Sequence, residues 1–370
     1  PERKRRRSNG VALKIQVANR DRTSPGFSIL LLFLSLLAGL VAIGVVFAVK
    51  GVNPITAIIS IFASSFGSLF GLQETLTKAI PLILIGSGLA VVFRAKFWNI
   101  GAESQLLFGA IFATWVALNL GPHLPKFLVL PLMVLAGFIG GGLWGMIPAL
   151  FKARFGINEV ISTLMLNYVA AEFVKFLVVG PWKGASKQGY PYTDDFPASA
   201  TFDLLGYSRI SPVMLILAVA VALILAVIIY RTKFGYEVRV IGENPEAARY
   251  AGIGFVKTSL LMMMLSGGVA GIAGVGEIAA IYHHLSYPET ISGGLGFTAI
   301  IVAWLAKLNP GFVIISGFFF AGILVGGDAI QISMGLPAAT VNVFNGLILM
   351  FLIMGDFFNN NRVLVQRRSV

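Results

Sequence analysis

Cysteine is absent from the 370 residues, and histidine occurs only three times. That removes disulfides, thiolate metal sites and cysteine nucleophiles. Charge is scarce too. Asp, Glu, Lys and Arg make up 12% of the chain, where soluble domains carry about 25%. No G-x-x-x-x-G-K-[ST] loop occurs, so the chain does not hold ATP in that way itself. What fills the sequence is apolar: hydrophobic residues reach 57% and the mean hydropathy is +0.86. A soluble fold has no interior large enough to hide that much. A hydrocarbon core of about 30 Å takes roughly 20 apolar residues per helix, and only helices or closed barrels satisfy their backbone in lipid.

Apolar runs cover residues 28–49, 75–93, 100–118, 127–150, 157–179, 212–230, 257–281, 295–305, 312–325 and 338–357. They are too continuous for barrel strands, which alternate. The expectation is an all-α polytopic membrane protein with about ten transmembrane helices. A basic cytoplasmic tail covers residues 1–27, one transmembrane domain 28–357, and a cytoplasmic tail 358–370. No cleavable signal peptide is expected, because the stretch from Arg3 to Arg7 precedes a full-length span without a small-residue cleavage site. Residues 55–69 put Ile55, Ile58, Ile59, Phe62, Phe66 and Leu69 on one helical face, with serines over much of the rest. They read as an interfacial or re-entrant helix.

The formal charge of +12 would suit nucleic acid, but its placement argues otherwise. With ten spans, most Lys and Arg fall on the side of both termini, as the positive-inside rule requires. The tail around Arg3–Arg7 is then a solvated segment or touches anionic lipid. Residues 181–211 form the one long external loop, either a connector or a contact for a delivery protein.

Residues 231–256, between the sixth and seventh spans, are too polar for lipid yet carry strong helix punctuation. Asn244 suits an N-cap and Pro245 the first helical position. Glu246 sits where the helix dipole favours an anion, and Gly252 suits a left-handed stop. A short capped helix there is a connector, or it docks a soluble motor domain through the small residues Ala247, Ala248 and Gly252.

The sequence GENPEAARYAGI within this loop resembles the coupling loop of the ABC importer permease family that serves simple sugars, branched-chain amino acids and nucleosides. NIGAESQ at residues 99–105 is similar to that family's NIGAEGQ signature, with Ser104 where the family usually has Gly. GINEVISTLMLNYVA at residues 156–170 resembles the segment opening its next span. The likeness runs from Gln73 to Asp356 and is greatest to the nucleoside-uptake branch, whose longer permease shares the extended N-terminus. The resemblance implies a non-enzymatic transport subunit in a bacterial plasma membrane. It implies a second, paralogous permease, ATP-binding cassette subunits carrying ATP and Mg, and an extracytoplasmic binding protein or lipoprotein. This chain then needs no cofactor or metal. Gly242, Glu243, Asn244, Pro245, Glu246, Ala247, Ala248, Arg249 and Gly252 would couple it to the ATPase.

Polar groups at membrane depth are candidates for the substrate path. Asn99, Glu103 and Gln105 either line it or cap the third span. Asn167 and Tyr168 suit a neutral hydrogen-bonding solute, or bond between helices. Glu277 and Asp328 lie near outer span ends, where a solute enters. Gly267, Gly271 and Gly274 form a face for close helix packing. The adjacent His283 and His284 lack the Asp, Glu or Cys neighbours a metal site needs. Rival functions are the same importer class for ribose, other sugars, riboflavin or branched-chain amino acids, and an ion-coupled secondary transporter. The latter is expected to show paired broken helices and midplane charges.

Overall fold

A computed structural model describes residues 11–20, 24–185 and 189–369. The elements run β1 (Val11–Asn19), α1 (Pro25–Val49), α2 (Pro54–Phe66), α3 (Leu69–Arg94), α4 (Ala102–Asn119), α5 (Lys126–Phe155), α6 (Glu159–Val179) and α7 (Pro212–Arg231). They continue as α8 (Lys233–Glu243), α9 (Pro245–Tyr250), α10 (Phe255–Gly276), α11 (Pro288–Ile291), α12 (Leu295–Leu305), α13 (Val313–Ser333), α14 (Ala338–Asn360) and β2 (Asn361–Ser369). A helix occupies each of the ten apolar runs. Seven helices among the described residues are long and apolar enough to cross a membrane, or eight if the bent pair formed by α1 and α2 is one span. That pair is bent by 118°, in keeping with the separate, amphipathic character of α2.

The chain forms two compact units, residues 1–60 with 330–370 and residues 61–329. In the first, α1 packs on α14. A Cβ placed on Gly355 would lie 1.9 Å from the Ser35 hydroxyl oxygen, and the buried rings of Phe47 and Phe344 stack with centroids 6.2 Å apart. β1 and β2 pair antiparallel, from Val11 opposite Ser369 to Asn19 opposite Asn361. Both strands fall in the segments expected as tails, and the rest of the described chain is mostly helical. The stretch Arg3–Arg7 lies outside the described residues.

The second unit is built around α3 and α10. From Ala79 to Phe93 every residue of α3 is buried, so a helix apolar all round sits inside other helices. α10 lies against α5 and α4 at backbone contact. A Cβ on Gly271 would meet the Gly137 carbonyl oxygen at 2.0 Å, and one on Gly267 would meet the Gly141 oxygen at 2.4 Å. The glycine face expected of α10 therefore meets a matching glycine face on α5, which gives the helices no side chain to separate them. Beyond Gly276, α10 continues as a π-helix over Glu277–Tyr282.

The long loop after α6 is pinned to the turn that follows this π-helix. Thr193 N–H donates to the Leu285 carbonyl at 3.0 Å and Phe196 N–H to that of His283 at 2.8 Å. Lys126 at the start of α5 pairs with Asp203 of the same loop.

Candidate functional site

The span after the π-helix is broken. α11 has four residues, Gly293 and Gly294 turn the chain with φ of +49° and +80°, and α12 runs eleven residues. A helix starting inside the protein leaves N–H groups without intrahelical partners. Glu103, in the first turn of α4, supplies the acceptors. Its Oε1 accepts from Gly294 N–H at 3.0 Å and its Oε2 from Gly296 N–H at 2.7 Å. One carboxylate thus closes the positive end of a helix that lies nearly two hundred residues away in sequence.

The rest of the 99–105 motif holds Glu103 in place. Asn99 and Gln105 exchange two hydrogen bonds, Asn99 Nδ2 to Gln105 Oε1 at 2.9 Å and Gln105 Nε2 to Asn99 Oδ1 at 3.0 Å. Asn99 also donates to Ser266 Oγ of α10 at 3.3 Å and accepts from Gly101 N–H. Asn167 of α6 accepts from Ser104 N–H at 3.1 Å and donates to the Ile100 carbonyl at 3.0 Å. Asn99, Glu103, Gln105 and Asn167 are all buried, and their hydrogen bonds join the opening of α4 to α6, α10 and α12. Ser104 bonds back to the Gly101 carbonyl at 2.7 Å, so the departure from glycine adds a local bond. Tyr168 is not part of this cluster. It faces outward and is 66% exposed.

Glu277 and Asp328 sit near a second group of charges. Lys78 of α3 pairs with Asp328 of α13, and Arg209 approaches Glu74 at 3.6 Å. Glu277 opens the π-helix and lines a small cleft with Thr77, Arg209, Ser211 and Met214.

The connection between α7 and α10 is a helical hairpin. α9 has the caps its sequence implies: Asn244 Oδ1 accepts from Glu246 N–H at 3.0 Å and Ala247 N–H at 3.1 Å. Gly252 turns it off at φ +73°, and Ile253 N–H reaches the Ala248 carbonyl at 3.0 Å. Ala247, Arg249 and Tyr250 are exposed, whereas Ala248 faces inward. α8 was missed by the sequence reading. It buries Gly235, Val238, Ile241 and Gly242. A Cβ on Gly242 would lie 1.9 Å from the Arg94 carbonyl oxygen at the end of α3, and Glu237 accepts from Thr258 Oγ1 of α10 at 3.3 Å. The exposed helix α9 is therefore mounted on α8, which touches the ends of the two core helices α3 and α10.

The family model for the permease component of the branched-chain amino acid transport system matches residues 71–353. The chain belongs to that permease family. The glucose ABC transporter permease protein TsgB13 of Haloferax volcanii is 36% identical to it over 89% of the chain and 88% of the relative. The nucleoside ABC transporter permease protein NupB of Lactococcus lactis is 31% identical, over 82% of this chain and 84% of its own. The guanosine ABC transporter permease protein NupP of Bacillus subtilis is 29% identical, over 86% and 91%. This permease is thus a multi-pass membrane subunit of a multi-subunit ABC importer, a transport component. The glycine-lined core, the broken helix and the α8–α9 hairpin all fall within the matched residues.

Proposed function

We propose that this permease forms, with a second and paralogous permease, the membrane path of an importer for neutral nucleosides in a bacterial plasma membrane. The observation that carries the neutral class is Glu103 at the N-terminus of α12. In transporters with broken helices, such N-termini face anionic groups of the solute. Here a carboxyl group of the same chain already occupies that position, so those N–H groups are not free for an amino-acid carboxylate. Nucleosides and sugars bring no such charge. The names of NupB and NupP favour a nucleoside. The name of TsgB13, with its higher identity, makes a hexose the second reading.

The antiparallel pairing of β1 with β2 supports both ends of the described chain lying on one side. This supports an even number of crossings, and the distribution of Lys and Arg supports ten, with that side cytoplasmic. The hairpin of α8 and α9 then lies in the cytoplasm. The residues from Gly242 to Arg249, with Gly252, couple it to separate ATP-binding subunits that carry ATP and Mg. A binding protein or lipoprotein delivers the solute from outside.

Uptake of labelled guanosine, glucose and leucine by cells with and without the permease tests the substrate class. Guanosine uptake should disappear with the permease and return with it. Loss of leucine uptake alone would refute the neutral-solute reading, and loss of glucose uptake alone would select the hexose.

A further inference from the structure

One outward face of α6 is not dressed for lipid. Tyr168 stands eleven residues before the end of the helix, about 16 Å along it and close to mid-span. One turn on stands Glu172, and one turn further Lys175, so the three share a face. Lys175 Nζ contacts Glu172 Oε1 at 3.0 Å and Glu289 Oε1 of α11 at 3.2 Å. Tyr168 is 66% exposed, and the side chains of Glu172 and Glu289 are 72% and 69% exposed. An exposed group with two carboxylates and one ammonium is costly against hydrocarbon and is expected to face a water-filled cavity. α11, which meets this face through Glu289, leads into the break before α12, and irregular backbone at membrane depth lines cavities in transporters. Tyr287 and Phe297, on either side of that break, are also exposed.

The chemistry of this face is specific. Two carboxylates steadied by one lysine are hydrogen-bond acceptors for hydroxyl groups, as the acidic residue of dinucleotide-binding folds is for ribose. An exposed aromatic ring one turn away offers a stacking surface that any base can use.

We propose that Tyr168, Glu172, Lys175 and Glu289 form the wall of the solute path that binds the nucleoside, with Tyr168 against the base and the two carboxylates on the ribose hydroxyls. Lys175 is a positioning residue that holds the carboxylates. This rests on the nucleoside reading above.

The absence of cysteine from the 370 residues makes each introduced thiol the only one among them. In membranes holding the assembled importer, the thiols of Tyr168→Cys and Glu172→Cys should react with a charged methanethiosulfonate reagent. Saturating guanosine should slow that reaction at least about tenfold. Ile216→Cys, exposed on α7, should not react. In transport, Glu172→Gln and Glu289→Gln should each raise the KM for guanosine about 10–100-fold, the worth of a hydrogen bond to a charged group. They should also shrink the preference for guanosine over its 2′,3′-dideoxy form. Lys175→Met should raise the KM without erasing that preference.

Thiols no more reactive than that of Ile216→Cys would overturn the proposal and assign the face to a protein contact. Reaction that guanosine does not slow, in an importer that transports guanosine, would also overturn it. An importer that transports no guanosine at all overturns the nucleoside reading itself, before any variant is compared.

Discussion

Replacing Glu103 separates a structural carboxylate from one that touches the solute. Glu103→Ala leaves the N–H groups of Gly294 and Gly296 without the acceptors they have at 3.0 and 2.7 Å. Each unsatisfied buried donor costs about 1–3 kcal/mol, so the variant should lose about 2–6 kcal/mol. Glu103→Gln keeps one acceptor but turns an amide N–H toward the second donor, and should lose about half as much. Measured as the thermal melting of the detergent-solubilised protein by size-exclusion fluorescence, Glu103→Ala should fall furthest and Glu103→Gln between it and wild type. If Glu103 instead bound the solute, Glu103→Gln would change the KM for uptake and leave the melting temperature alone. Melting equal to wild type in both variants, with uptake affinity altered, would refute the capping role.

Other predictions follow from the packing and the hairpin. Gly271→Ala puts a Cβ at 2.0 Å from the Gly137 oxygen and should lower thermal stability by about 1–3 kcal/mol. Gly346→Ala, with open space around it, should be neutral or stabilising by the same melting assay. Tyr250→Ala and Ala247→Arg alter exposed positions of α9, so both should insert normally but lose solute-stimulated ATP hydrolysis. Unchanged stimulation in both would remove the docking role. Ala248→Arg, at a buried position, should instead lower stability by the melting assay, because it forces a charge into a site closed to water. Asn167→Leu removes the bonds to Ser104 and Ile100. It should reduce the folded fraction before it changes the KM.

What the sequence showed and what it hid divide along contact distance. The caps of α9 were legible because Asn244, Pro245 and Gly252 act on their own neighbours. The glycine face of α10 was legible as a face for close approach, but not its partner, since nothing in residues 267–274 names Gly137 or Gly141. α8 was missed because its small and apolar positions, Gly235, Val238, Ile241 and Gly242, are separated by charges and read as loop. The 99–105 motif was found as a polar cluster, yet its work was not. The acceptor Glu103 and the donors Gly294 and Gly296 are joined only by the fold. Asn167 and Tyr168 were read together as neighbours in sequence. On a helix adjacent residues are about 100° apart, and the structure turns one inward to the motif and the other outward. The pairing of β1 with β2 is also a contact between chain ends, which local pattern does not carry.

The central claim is that a permease whose broken helix is already capped by Glu103 carries a neutral nucleoside under the drive of ATP. Its most direct test is uptake by the complete importer reconstituted in vesicles, with labelled guanosine and labelled leucine offered side by side, with and without ATP. ATP-dependent accumulation of guanosine and none of leucine is the expected result. Accumulation of leucine, or guanosine uptake that persists without ATP when only an ion gradient is present, would contradict it.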